Sequence, residues 1–169
     1  LEFRRVLFRS TGIGYDIHRL IPTIKPSSIV LGGIKLPCYF SIQAHSDGDV
    51  LLHALVDACL GALSLGDIGQ WFPDNDPKHQ NRNSADFVKE VVHKVKEMGY
   101  EIHHVDSNIF LEEPKVNPHK DVIRTHIAQL LETELSNVSV KAKTMEGLGP
   151  DRKSTRLNSS HVKRSRMPS

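Results

Sequence analysis

Cysteine is scarce in this chain: Cys38 and Cys59 are the two in 169 residues, and they form no CxxC pair. That excludes a disulfide-stapled scaffold and gives a structural zinc no thiolate cage. Cys59 falls on an apolar helical face beside Leu55 and Leu63, so both cysteines read as small buried hydrophobes in a reducing cytoplasm. No apolar window approaches the length of a membrane span. Residues 1–10 (LEFRRVLFRS) have too short an apolar run, with the wrong flanks, for a secretory signal. No repeat period and no second large core are visible, so one domain is expected. Nor is there an excess of charge where a nucleic acid would need it. The formal charge is +2, yet residues 11–151 carry 13 basic and 19 acidic residues, a net of −6, while 152–169 hold six Lys/Arg and no acid. The positive charge lies off the body, which argues against nucleic-acid binding.

Residues 152–169 have almost no large apolar side chains and no periodicity, so they cannot offset their ordering entropy. We therefore read 151–169 as a disordered basic tail and 1–10 as a foreign-looking leader, both similar to translated vector sequence. Val6, Leu7 and Phe8 are the leader's one chance of joining an edge strand. The body spans 11–150.

Within the body, strand signals end at Ile13 and resume at Ile29-Val30-Leu31 and Ile34-Lys35-Leu36. The latter two are joined through Gly32-Gly33, with Pro37 closing the element. A helix follows over about 48–63, with Leu51, Leu52, Leu55, Ala58, Cys59 and Ala62 at three- and four-residue steps and Ser46 or Asp47 as its cap. Residues 66–83, rich in Gly, Pro, Asp and Asn, are too long for an idle connection and form a candidate functional loop. Ser84 caps a second amphipathic helix with the stripe Phe87, Val88, Val91, Val92, Val95 and Met98, stopped at Gly99. Residues 102–111 read as a strand. Pro118 opens a third helix whose apolar face is Val122, Ile123, Ile127, Leu130 and Leu131. Val138, Val140 and Ala142 alternate as a last strand before Gly147-Leu148-Gly149-Pro150. The fold class is α+β: a mixed sheet with helices packed on one face.

The chemistry concentrates in two places. Asp16 and His18, two apart in extended backbone, leave the strand on the same side, and His53 on the first helix would complete a set of one carboxylate and two imidazoles. That is the ligand count of a catalytic zinc with an open fourth position. His45, Ser46, Asp47 and Asp49 crowd the start of the same helix. Capping explains the last three, but not His45, and a helix N-terminus there offers N–H groups to an anionic substrate. Farther along, Asp67, Asp74 and Asp76 share the loop with Trp71 and Phe72. Thr144 and Glu146 end a strand, where a phosphate hydrogen bond and a Mg²⁺ carboxylate are both possible. His79, His93, His103, His104 and His126 read as surface or half-buried residues.

Taken in order, Gly12-Ile13-Gly14-Tyr15-Asp16-Ile17-His18-Arg19, Leu31-Gly32-Gly33, Ala44-His45-Ser46-Asp47-Gly48-Asp49 with His53, Leu65-Gly66-Asp67-Ile68-Gly69, Phe72-Pro73-Asp74-Asn75-Asp76-Pro77, Pro114-Lys115, Pro118-His119, and Val140-Lys141-Ala142 with Thr144 and Glu146 closely resemble the 2-C-methyl-D-erythritol 2,4-cyclodiphosphate synthase family over about 11–150. The resemblance implies a lyase of non-mevalonate isoprenoid biosynthesis. It would convert 4-diphosphocytidyl-2-C-methyl-D-erythritol 2-phosphate to the cyclic diphosphate with release of CMP. It also implies zinc or another divalent cation at Asp16, His18 and His53, and Mg²⁺ or Mn²⁺ held with the substrate diphosphate by Glu146. His45 and Thr144 would be catalytic, stabilising the transition state. Asp16, Ile17, His18, His45 and Ser46 would face the substrate. Asp67, Ile68 and Gly69, with Phe72, Pro73, Asp74, Asn75 and Asp76, would embrace the methylerythritol and its phosphate. Glu113, Pro114, Lys115, Pro118 and His119, with Ala142, Lys143, Thr144, Met145 and Glu146, would form the cytidine and diphosphate pocket, completed across a subunit boundary of a homotrimer. No nucleic acid or membrane enters this picture.

The chain departs from the family pattern at Lys143 and Pro150 and lacks the family's closing segment and last strand, with Arg152 and Lys153 read as tail. Two other functions stay open: a phosphohydrolase using the same ions to activate water, and a metal- and nucleotide-binding fragment without turnover. The absence of a His-Asp doublet or paired-carboxylate metal box argues against the hydrolase.

Overall fold

The computed structural model describes residues 9–80 and 82–146 and the backbone of 156–159. The architecture is mixed α+β. Five strands lie in the order β2-β1-β5-β3-β4: β1 (Asp16–Leu31), β2 (Ile34–Gln43), β3 (Val105–Phe110), β4 (Val138–Lys143) and β5 (Arg156–Ser159). The helices are α1 (Val50–Ala62), the short α2 (Ile68–Trp71), α3 (Ser84–Glu97) and α4 (Lys120–Leu131). Helices α1 and α4 pack against the sheet, and α3 packs across both. No described helix is long and apolar enough to cross a membrane.

The long β1–β2 hairpin turns at Gly32-Gly33, whose φ values of +60° and +78° suit a tight two-residue turn that glycine adopts without strain. Two helices hold that turn. The buried Asp49 carboxylate accepts the N–H groups of Gly32 and Gly33 while also capping α1 through Leu52 N–H. His126 of α4 hydrogen-bonds the Gly32 carbonyl at 2.8 Å. Asp49 is thus the cap of α1, not Ser46 or Asp47, which are used elsewhere. Likewise Asn83, accepting Ala85 N–H at 2.8 Å, caps α3, and Ser84 lies inside the helix and fully buried.

The core is the layer between sheet and helices. Leu51, Leu52 and Leu55 of α1, Phe87, Val88 and Val91 of α3, and Ile123 and Ile127 of α4 meet Leu20, Ile29, Leu36 and Ile109 of the strands. Met98 and Val122, expected on buried stripes, are 41% and 55% exposed, because each helix turns them past the edge of the layer. Residues 9–15 lie flat on α1 rather than forming a strand, and glycine makes this possible. A Cβ at Gly12 or Gly14 would meet the Ala58 or Ala54 carbonyl oxygen at 1.8 or 1.7 Å.

β2 runs through Pro37 to Gln43 instead of stopping there, and β1 continues past Pro22 and Pro26 with a register shift between Pro22 and Ser27. Proline lacks a donor, and the shift absorbs the interruption. β3 and β4 pair in parallel across the α4 crossover, the connection that parallel neighbours require. β5 runs antiparallel to both β1 and β3. This strand falls within the tail expected over 151–169. Two facing strand edges supply backbone partners on both sides. Residues 147–155 and 160–169, with the Gly147–Pro150 motif and Arg152 and Lys153, lie outside the described residues, as do Val6, Leu7 and Phe8.

Candidate metal centre and active site

The first strand delivers Asp16 and His18 to the sheet face covered by helices, and α1 brings His53 against them. Asp16 Oδ2 lies 2.8 Å from His18 Nε2 and 3.1 Å from His53 Nδ1, and the two ring nitrogens are 3.2 Å apart. Donors about 2.0–2.2 Å from a tetrahedral zinc stand roughly 3.3 Å from one another. The three atoms are therefore spaced as ligands of one ion, and among the described residues they form the one such cluster of His, Cys, Asp or Glu donors. The donor set fits a divalent cation: one hard carboxylate oxygen and two imidazole nitrogens, with a face left open towards a cavity.

Electrostatics point the same way. Burial by itself raises Asp16, but hydrogen bonds and charge from His18 and His53 outweigh it and hold the carboxyl well below the usual range. Burial lowers His18, yet its hydrogen bond and charge pairing with Asp16, helped by the Gln43 backbone, raise it above an ordinary imidazole. The corner thus favours positive charge where a cation would sit.

A cavity of about 240 Å³ opens from this corner. Its walls include His45 and Ser46 before α1, Ile68 and Gly69 of α2, and Phe72, Asp74 and His79 of the long loop. Ser46 Oγ lies 3.1 Å from His53 Nε2. His45 stands at the exposed rim, its Nδ1 3.6 Å from Asp74 Oδ2. Phe72 stacks on Phe87 with centroids 4.4 Å apart, and the Arg82 guanidinium covers the Phe87 ring at 4.9 Å, so the loop is anchored on α3. Asp67 caps α2 through Gln70 N–H at 2.9 Å. Asp76 caps the turn Pro77–His79 and pairs with Lys78 at 2.8 Å. Pro73 is half-buried and Asn75 exposed. Ile17 alternates away from its neighbours onto the other face of the sheet, 40% exposed, and contributes its backbone N–H to Asp16 Oδ1 at 2.8 Å.

The other predicted residues gather separately. Glu112 Oε1 accepts Met145 N–H at 2.7 Å, and Leu111 N–H donates to the Lys143 carbonyl at 2.9 Å. These bonds tie the loop holding Glu113, Pro114, Lys115, Pro118 and His119 to the end of β4 with Ala142, Thr144 and Glu146. The Thr144 hydroxyl donates to Glu146 at 2.5 Å. Neither loop lines the cavity beside Asp16.

The sequence profile of the YgbB family matches residues 9–162. The chain belongs to the YgbB family. This family member is 50% identical over 135 residues to the chloroplastic 2-C-methyl-D-erythritol 2,4-cyclodiphosphate synthase of Arabidopsis thaliana, covering 80% of this chain and 57% of that protein. It is 44% identical over 138 residues to the same-named synthase of Alkaliphilus oremlandii, covering 82% and 86%. A solved Plasmodium falciparum relative in complex with CDP superposes with a TM-score of 0.74 at 32% identity, covering 92% of this chain and 97% of that one. The chain spans less than two thirds of the plant relatives it matches, 57% and 59% for two of them.

Residue-level reading of the YgbB sequence missed four contributors. Ser84 touches His53 Nε2 at 2.8 Å, and Asp47 binds Ser84 through both carboxylate oxygens. Asp57 accepts Ile68 N–H at 2.7 Å. His79 is buried against Phe72 and Phe87, its Nε2 4.0 Å from Asp76 Oδ2 and without a hydrogen bond. Adjacent Asn83 and Ser84 carried a usable signal, since one helix needs one cap and a second capping residue is free for other work. Nothing local marked Asp57 or His79.

Proposed function

We propose that the chain is a cyclase, converting 4-diphosphocytidyl-2-C-methyl-D-erythritol 2-phosphate into 2-C-methyl-D-erythritol 2,4-cyclodiphosphate with release of CMP. The observation that carries this reading is the convergence of Asp16, His18 and His53 at the mouth of a cavity walled by Ile68, Gly69, Phe72 and Asp74, in a chain of this family. Zinc or a similar ion at Asp16, His18 and His53, with Mg²⁺ or Mn²⁺ at Glu146, supplies positive charge to diphosphate oxygens when bound.

The rest falls to the protein. Ring closure joins the 2-phosphate oxygen to the β-phosphorus and breaks the bond to CMP, so no water enters and the need is to fold the substrate on itself and spread charge. His45 at the rim and Thr144 are placed in this reading to donate to phosphoryl oxygens. Ile68 and Gly69 present backbone, and Asp67 and Asp74 carboxylates, to the polyol. The buried Phe72, lining the cavity wall, excludes water that would divert the reaction to hydrolysis. Glu113, Lys115 and His119, with Ala142 and Lys143, hold the cytidine.

A homotrimer belongs to this proposal, because it would bring the 112–119 and 142–146 loops of one subunit to the metal corner of another. Ile17 and Ile21, on the sheet face without helices and 40% and 42% exposed, support such an interface. The free cysteines fit a reducing compartment. The test is product analysis alongside metal content: cyclic diphosphate and CMP in equal amounts support the cyclase, and ring-free phosphate release overturns it.

A further inference from the structure

We infer that Asp47 and Ser84 are positioning residues that lock His53 in the tautomer whose Nδ1 is free to bind a cation. The inference rests on a cation at Asp16, His18 and His53, not on which reaction that cation serves. The argument is proton counting. An ionised carboxylate only accepts, and a serine hydroxyl has one proton to give. Ser84 Oγ gives that proton to Asp47 Oδ1 in a short hydrogen bond, while Asp47 Oδ2 accepts the Ser84 backbone N–H at 3.0 Å. Towards His53 Nε2, 2.8 Å away, the hydroxyl is therefore an acceptor, and Nε2 carries the ring proton. That leaves Nδ1, which faces Asp16 Oδ2 and His18 Nε2 at 3.1 and 3.2 Å, as the nitrogen whose lone pair a cation would take.

The relay has little freedom to do otherwise. Ser84 is fully buried, so water does not compete for its hydroxyl. Asp47 is pinned from its other side by its own N–H, which donates to the Arg82 carbonyl at 3.2 Å. The start of α3 is thus fastened to the segment before α1, and the imidazole between them has one orientation. Ser46 Oγ, at 3.1 Å from the same nitrogen and itself accepting Gly48 N–H at 3.2 Å, is a second hydroxyl oxygen within reach of the Nε2 proton. A carboxylate–hydroxyl–imidazole chain also makes the ligating nitrogen more basic, as outer partners of metal-bound histidines do.

The experiment uses the full chain, with zinc affinity measured by chelator competition and His53 ring nitrogens observed by ¹⁵N NMR in the zinc-free protein near pH 8. Ser84→Ala is expected to weaken zinc binding by about 10- to 100-fold, and Asp47→Asn, which keeps the hydroxyl but removes the charge, by less. The parent ring is expected to be protonated on Nε2, and Ser84→Ala to shift it towards protonation on Nδ1. Parental zinc affinity in a folded Ser84→Ala, or a parent ring without a proton on Nε2, overturns the inference. If Ser84→Ala does not fold, the parent ring and Asp47→Asn still decide. A parent that binds no zinc would instead overturn the metal assignment itself.

Discussion

At the metal corner the functional side chains meet protein partners: Asp16 holds two imidazoles, His53 reaches Ser84, and Ser84 reaches Asp47. At the corner formed by 112–119 and 142–146, Glu113, Lys115, Lys143 and Glu146 are exposed, and Thr144 and Glu146 bond to each other. The first corner is preorganised by one chain, as a site that must hold an ion in fixed geometry requires. The second has its loops tied down but its side chains turned to solvent. On the reading proposed here, that is what half of an intersubunit site looks like before the neighbouring subunit arrives.

The strongest way to break this comparison is to remove the ion. His53→Ala should abolish zinc retention and reduce turnover by about 10³-fold or more, because several kcal/mol of charge stabilisation disappear with the metal. Metal analysis of the purified variant decides it, and full zinc occupancy would sink the ligand assignment.

The second corner should behave differently. Glu146→Gln or Thr144→Ala is expected to lower turnover about 100-fold, the usual cost of one charge-stabilising group, while zinc content stays at the parental level. Mixing His53→Ala chains with Glu146→Gln chains, each nearly inactive, should restore part of the activity if neighbouring subunits build one site. Failure to restore any activity in a mixed, assembled sample would mean that each chain closes its own site.

Much of the metal corner was legible in the sequence because its determinants are local. The period of two in a strand puts Asp16 and His18 on one side, and helical spacing places His53 among Leu52, Ala54 and Leu55. The cap assignments were not legible. Ser46, Asp47 and Asp49 are equally good caps by type, and the choice fell to Asp49 because only that carboxylate also meets the Gly32-Gly33 turn, a partner distant in sequence. β5 was missed for a related reason: a slot between two strand edges selects backbone, not composition, and no feature of Arg156–Ser159 announces it. His79 read as a surface or half-buried residue but is buried, because the rings of Phe72 and Phe87 enclose it.

Acid should weaken the metal corner in a predictable window. His18 is raised above the ordinary imidazole value of about 6.5, burial opposing and Asp16 outweighing it. A proton therefore competes with the ion at pH values where a free imidazole would already be neutral. Zinc affinity should fall as pH drops through that raised value, by about tenfold per unit per displaced proton. In the zinc-free protein the sign reverses. The His18–Asp16 pairing stabilises fully below about pH 6.5 and its contribution is lost as pH rises through the raised His18 value. The contribution of Asp16, whose carboxyl is depressed, is present above about pH 4 and is lost only in stronger acid. Melting temperatures of zinc-free and zinc-loaded protein should therefore diverge as pH increases. Parallel curves would count against the pairing.

The smallest expected effect concerns the link between the corner and the polyol loop. Asp57 lies one helical turn beyond His53 on α1, and its carboxylate accepts Ile68 N–H at 2.7 Å, at the start of α2. Burial raises this carboxyl, the Ile68 N–H opposes that, and the charge of Asp67 adds to the rise. Its contact with the loop is that backbone hydrogen bond. Asp57→Ala should let residues 66–71 loosen, with faster amide exchange at Ile68 and about a tenfold increase in KM, the size of one lost hydrogen bond to a charged acceptor. Zinc content and kcat should change little, since the ligands on β1 and α1 are held by other contacts. Asp57→Asn keeps an acceptor oxygen and should restore most of the affinity. If the asparagine variant were as impaired as the alanine one, the carboxylate's charge would be what matters, and Asp57 would be a functional acid rather than a fastening for the loop.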